Sequence, residues 1–300
     1  MQTSAHDLSR WGLLSIAAAI ATITLKTGAW ALTGSVGLLS DAAESVVNLI
    51  AAVVTFMALR VAARPPDRRH NFGHSKVEYL SAVLEGLLIA AAATVILISA
   101  VERLRNPQPL QNLGVGLLIS VVAAGVNGVV GTLLLRVGRT HRSLALEADG
   151  KHLLTDVWTT AGVVVGVGLV ALTGWLPLDA LVAIGVAINI LVVGFLLVRR
   201  SLSGLMDVAM PDAELAAVQQ VLDGFRGGEV SFHDLRSRVS GRQRFLQLHM
   251  LVPGDWPVQR GHDLGEAVEQ QLRLAVDGLV PIIHLEPAED PRSYESWRLR

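Results

Sequence analysis

Six stretches, at 11–31, 36–60, 78–101, 113–136, 150–174 and 178–199, are each apolar over roughly the 20 residues that a helix needs to cross a hydrocarbon layer ~30 Å thick. No soluble core of this size buries six such helices on every side, so the first two-thirds of the chain is constrained to an α-helical membrane bundle. The first stretch reads as a retained helix rather than a cleaved leader. Asp7 precedes it, Arg10 is the one basic residue there, and the apolar run continues past Lys26. Basic residues orient the bundle. Arg60, Arg64, Arg68, Arg69 and Lys76 separate the second and third stretches, Arg136, Arg139 and Arg142 the fourth and fifth, and Arg199 and Arg200 follow the sixth. On the opposite side, 32–36 and 174–178 hold no Lys or Arg, and the third stretch is followed by Arg103 and Arg105 alone. The bias predicts that both termini face the cytoplasm, and a multi-pass protein of the cell (inner) membrane is the expectation.

Beyond the sixth stretch the pattern becomes that of an ordinary soluble domain. Leu215, Val218, Val221 and Leu222 mark an amphipathic helix, and Phe232–Val239 a strand closed by the Ser240-Gly241 turn. In Arg244–Val252, the residues Leu246, Leu248, Met250 and Val252 alternate with Phe245, Gln247, His249 and Leu251, which puts His249 on the face opposite the apolar one. A helix from about His262 to Val276 and a strand Leu279–Leu285 complete an αββαβ order. The predicted organisation is a six-helix transmembrane domain over 1–208 and a small α+β cytoplasmic domain over 209–300.

The chain has no cysteine, which rules out disulfides and thiolate metal sites and leaves His, Asp, Glu and Asn as ligands. A net charge of −1 supplies no field for nucleic acid. Inside the spans, ionisable groups are expensive and need a reason to be there. The second stretch carries Asp41, Glu44 and Asn48, and the fifth carries His152 and Asp156. Glu44 with Asn48 and His152 with Asp156 are i,i+4 pairs, each on one helix face. If the two faces meet, four nitrogen and oxygen donors converge on a tetrahedral divalent ion. Metal would neutralise the carboxylates, and protons would have to take its place when it left, which is the logic of an antiporter. The same groups also suit plain interhelical hydrogen bonding. Lys26, Asn127 and the small-residue faces Gly125 with Gly128 and Gly162 with Gly166 fit that second role better.

Three motifs together resemble the cation diffusion facilitator family: Gly34-Ser35-Val36 through Leu39-Ser40-Asp41-Ala42 to Glu44-Ser45 and Asn48; His70-Asn71-Phe72-Gly73-His74-Ser75-Lys76; and Ala148-Asp149 leading to His152 and Asp156. The resemblance implies six transmembrane helices with a cytoplasmic metallochaperone-like domain, a homodimer, and export of Zn²⁺, Mn²⁺, Fe²⁺ or Co²⁺ against protons. It implies a transport site of Glu44, Asn48, His152 and Asp156, a loop site of Asp67, His70 and His74, and a binuclear cytoplasmic site of His233, His249, His262, His284 and Glu286. It also implies an interlocking ion pair between Lys76 and Asp207. Seven of the nine histidines, all but His6 and His141, fall on these positions. The sequence departs from the common zinc pattern at Glu44, at Asn48, where a neutral amide replaces an anion, and at Glu286. By the same resemblance His152 favours Zn²⁺ or Fe²⁺ over the all-oxygen sites of manganese members, and Zn²⁺ is the first expectation for the cargo. A Mn²⁺, Fe²⁺ or Co²⁺ exporter is the alternative, and a membrane metal sensor without transport a more distant one. An intramembrane metalloenzyme is disfavoured because the HExxH pair is absent and no third histidine accompanies His152 in the bundle.

Overall fold

The computed structural model describes residues 8–33, 36–106 and 113–295, with side chains excepted at 29–30, 32–33, 36–44, 113–116, 167, 171 and 179. The chain divides into two compact units, one ending at Leu202 and the other running on from Ser203.

The first unit is built from α1 (Ser9–Thr33), α2 (Val36–Ala62), α3 (Val77–Arg105), α4 (Leu113–Thr140), α5 (Leu144–Thr173) and α6 (Pro177–Leu205). Among the described residues, six helices are long and apolar enough to span a bilayer. Within each, only 22% to 39% of the apolar window is buried by the chain itself, so most of their hydrophobic surface has to be covered by lipid or a partner. α5 packs against α2, α3 and α4, and that is what lets its polar face meet theirs.

α5 begins at Leu144, six residues before the sequence pattern placed it. Ser143 caps it, its hydroxyl accepting from the Leu146 amide, and Gly174 ends it in a left-handed turn at φ 71°. The early start is possible because Ser143 through Gly150 are all buried. A Cβ on Gly150 would fall 2.7 Å from the Leu135 nitrogen and 2.8 Å from the Gly131 oxygen, and one on Gly138 2.7 Å from the Glu147 nitrogen. The close approach of α4 to α5 is therefore made at Gly131, Gly138 and Gly150. Gly125 meets nothing and Gly128 makes only ordinary contact with Val157, while Gly162 faces Val186 of α6. Glycine spacing along one helix could not reveal which glycines meet a partner.

The second unit carries α7 (Asp212–Phe225), β1 (Ser231–Ser240), β2 (Gln243–Val252), α8 (Val258–Ala275), β3 (Leu279–Pro287) and a short 3₁₀ turn at Pro291–Tyr294. β2 is central, antiparallel to β1 and parallel to β3. Leu246, Leu248 and Met250 of β2 pack with Val218 and Leu222 of α7 and Val268 and Leu272 of α8, so the helices cover one face of the sheet and the other remains available. α8 starts behind Pro257 at Val258, which places His262 in its second turn rather than at its start.

Candidate functional site

In the membrane unit, Asn48 from α2 and His152 and Asp156 from α5 come together. His152 Nε2 lies 2.8 Å from Asn48 Oδ1, and Asn48 Nδ2 donates to Asp156 Oδ2 at 2.5 Å. Asn48 and His152 are 5% and 6% exposed, so their mutual bond is made away from water, while Asp156 is half-buried. Because the amide nitrogen points to Asp156, its oxygen faces the ring and Nε2 is the donor in that bond. The backbone of Glu44 belongs to α2, but its side chain lies outside the described residues.

Asn127 of α4 donates to the same Asp156 Oδ2 at 3.0 Å. By sequence Asn127 suits interhelical hydrogen bonding; the structure puts it on a candidate ligand. Three buried acids carry no role in the sequence expectations, although Asp149 falls within one of the motifs. Glu85 Oε2 approaches His152 Nδ1 to 3.1 Å, Asp149 accepts from Ser15 at 3.0 Å, and Glu78 accepts from Ser143 at 2.5 Å. None is more than 1% exposed. A search for i,i+4 pairs misses them because their partners lie on other helices. Their presence in apolar spans was itself the signal.

The loop between α2 and α3 folds around Asp67. Its Oδ1 accepts from the backbone amides of Arg69 and His70 at 2.8 and 2.7 Å, and these two donors hold its carboxyl below the usual range. His70 Nδ1 stands 3.2 Å from Asp67 Oδ1, and His74 Nε2 3.3 Å from Asp67 Oδ2. Gly73, at φ 82°, supplies the left-handed turn that brings the two rings within 4.5 Å.

On the open face of the soluble sheet, His233, His249 and His284 are direct neighbours across all three strands. A bulge in β1 between His233 and Arg236 makes this register. The pairing that holds from Arg236 onward, if continued without the bulge, would set Asp234 opposite His249 and turn His233 to the other face. Glu286 serves the cluster with both oxygens: Oε2 lies 3.1 Å from His233 Nε2, and Oε1 lies 3.1 Å from His249 Nδ1 and 3.5 Å from His284 Nε2. Bonds of about 2.0–2.1 Å to a tetrahedral ion separate ligand atoms by about 3.3 Å, which is the spacing found both here and in the loop. Within each of the sets Asp67, His70, His74 and His233, His249, Glu286, the ligand atoms lie within 4.8 Å of one another. His262 is exposed on α8 and joins none of the ion pairs or ring contacts of this cluster. Asp207 pairs with Arg238 of β1 at 3.2 Å.

Residues 12–206 match the cation efflux transmembrane domain, and residues 210–288 match the cation efflux protein cytoplasmic domain. The chain belongs to the cation efflux family. As a member it is a multi-pass membrane transport protein, and its substrates are metal cations. An uncharacterized transporter of Synechocystis sp. is 50% identical over 285 residues, covering 95% of this chain and 92% of that one. The cation-efflux pump FieF of Salmonella arizonae is 31% identical over 299 residues, 99% of both chains. FieF of Klebsiella pneumoniae is 32% identical over 290 residues, 96% of this chain and 95% of the other. Among solved structures, the metal-bound C-terminal domain of the CzcD transporter from Thermotoga maritima is 25% identical, covering 27% of this chain and 99% of that domain, with a TM-score of 0.25.

Proposed function

We propose that this member of the cation efflux family exports divalent metal cations from the cytoplasm by alternating access in exchange for protons, with Zn²⁺ as the first cargo and Mn²⁺, Fe²⁺ and Co²⁺ as alternatives. The observation that carries the reading is the meeting of buried Asn48 and His152 with half-buried Asp156, joined in the proposal by Glu44 one turn away on α2. An imidazole with oxygen donors suits a first-row divalent ion. For an ion to enter, His152 Nε2 must surrender its proton and Asn48 Oδ1 must turn from the ring to the metal. Asp156 then loses the Asn48 donor and keeps Asn127. Metal and proton thus compete for the same atoms, which supports exchange rather than simple conduction.

In the proposed arrangement residues 1–208 form the transport domain in the cell (inner) membrane, residues 209–300 form a cytoplasmic domain, and both termini are cytoplasmic. Two chains form a homodimer, with His262 completing the cytoplasmic centre across the dimer. Metal at His233, His249, His284 and Glu286 would draw two cytoplasmic domains together and bias the bundles. Asp67, His70 and His74 would hold a further ion.

Uptake of Zn²⁺, Mn²⁺, Fe²⁺ and Co²⁺ into proteoliposomes, run in parallel with and without an imposed pH gradient, tests the reading. Zinc uptake that rises with an opposing proton gradient and vanishes in the double variant Asp156→Ala, His152→Ala is expected. Full uptake by that variant, or none by the unaltered protein, would sink the transporter in favour of a metal sensor. Flux indifferent to the gradient would remove the proton.

A further inference from the structure

Behind the imidazole of His152 stands a carboxylate that belongs to none of the ligand motifs. Glu85 of α3 is 1% exposed, and its Oε2 faces His152 Nδ1 at 3.1 Å. Its other oxygen accepts from the Thr55 hydroxyl of α2 at 3.1 Å, and Ser81 lies 3.3 Å from that hydroxyl. The backbone beneath it is fixed as well. A Cβ on Gly86 would meet a Val198 methyl at 2.7 Å and the Gly194 oxygen at 3.1 Å, so α3 and α6 are in close contact at this level. Glu85 is held from α2 and its own helix, and it is aimed at α5.

Glu85 Oε2 and His152 Nδ1 approach to contact distance without the alignment of a hydrogen bond, and among the described residues neither atom has another hydrogen-bond partner. Leaving both atoms in that state is costly at this depth. The other ring nitrogen is the one that touches Asn48. Resting on the transport-site reading above, we propose that Glu85 is a positioning residue for His152: once Nε2 has given up its proton, Glu85 keeps an N–H on Nδ1, fixes the plane of the ring and leaves Nε2 to the metal. When an ion displaces Asn48 from Nε2, a small rotation of the ring brings Nδ1–H onto Glu85. The arrangement also supplies charge. Asn48 is neutral where the zinc pattern has an anion, and Glu85 places a carboxylate one ring's width from the ion. Carboxylates behind metal-ligating histidines typically contribute about 10–100-fold in affinity.

The test is zinc uptake by the full-length protein in proteoliposomes over a concentration series, separating KM from maximal rate. Glu85→Gln should raise KM by about 10–100-fold while the maximal rate stays within about threefold, the pattern of lost binding rather than lost turnover. Glu85→Asp, which keeps the charge on a shorter arm, should recover part of that loss. Thr55→Val, which frees Glu85 without altering it, should raise KM by less. An unchanged KM in Glu85→Gln, or a fall in maximal rate alone, overturns the proposal. If Glu85→Gln cannot be recovered folded, the same split in Thr55→Val decides. Full zinc transport by the variant lacking Asp156 and His152 would instead defeat the transport-site reading, whatever Glu85 does.

Discussion

Converting Asn48 to aspartate would expose what the amide does in the transport site. In the structure its Nδ2 donates to Asp156 Oδ2 across 2.5 Å. In Asn48→Asp that nitrogen becomes a second carboxylate oxygen, and two unit charges at this separation repel by about 7 kcal/mol at an effective dielectric of ~20. Each ~1.4 kcal/mol is a factor of ten in an equilibrium constant, so the metal-free pair escapes the repulsion only by holding a proton between the two oxygens. The amide N–H of the natural protein occupies the place of that proton and cannot be released. A bound dication removes the repulsion and expels the proton. The variant should therefore release about one more proton per metal bound than the unaltered protein. Titration calorimetry in two buffers of different ionisation enthalpy measures that number, and metal bound at the loop and cytoplasmic clusters cancels in the comparison. Equal proton release from the two proteins would refute the argument.

Three further outcomes are expected. Gly150→Ala sets a methyl 2.7 and 2.8 Å from backbone atoms of α4; such overpacking typically costs about 1–3 kcal/mol, so the midpoint of thermal unfolding in detergent should fall, whereas Gly125→Ala, with open space around it, should leave it in place. Asp67 is held low by amide donors, so its contribution to loop order is present above the ordinary Asp pKa of about 3.9 and is lost only as pH falls through its lower folded value; the Asp67 side-chain carboxyl ¹³C resonance should show its carboxyl titration step below that ordinary value, and a midpoint at or above it would contradict the assignment. His249→Ala removes the ring between His233 and His284 in the sheet register and should abolish activation of transport by cytoplasmic zinc while zinc binding to the membrane domain persists; activation at the original zinc concentration would separate the cluster from regulation.

How far the sequence led depended on the range over which each feature is encoded. The spans were legible because bilayer thickness imposes a length on every helix. The strand faces were legible because alternation at Leu246, Leu248 and Met250 specifies them locally, and the position of His249 followed. The cytoplasmic cluster was less so. Its register rests on one bulge between His233 and Arg236, and a one-residue insertion in pairing leaves no periodic trace in either strand. In the membrane unit, Asn48, His152 and Asp156 announced themselves by spacing within helices, whereas Asn127 and Glu85 act across α4 to α5 and α3 to α5. Nothing in a single helix says which neighbour it will meet. What composition did offer was energetic: an amide or a carboxylate in an apolar run has to be offset by a partner. Lys26, which is only 9% exposed on α1, falls under the same rule. A polar residue alone in a span is thus better evidence of a contact on another helix than of a surface, and Asn48, Asn127 and Glu85, the three side chains that meet those of His152 and Asp156, come from three helices besides their own.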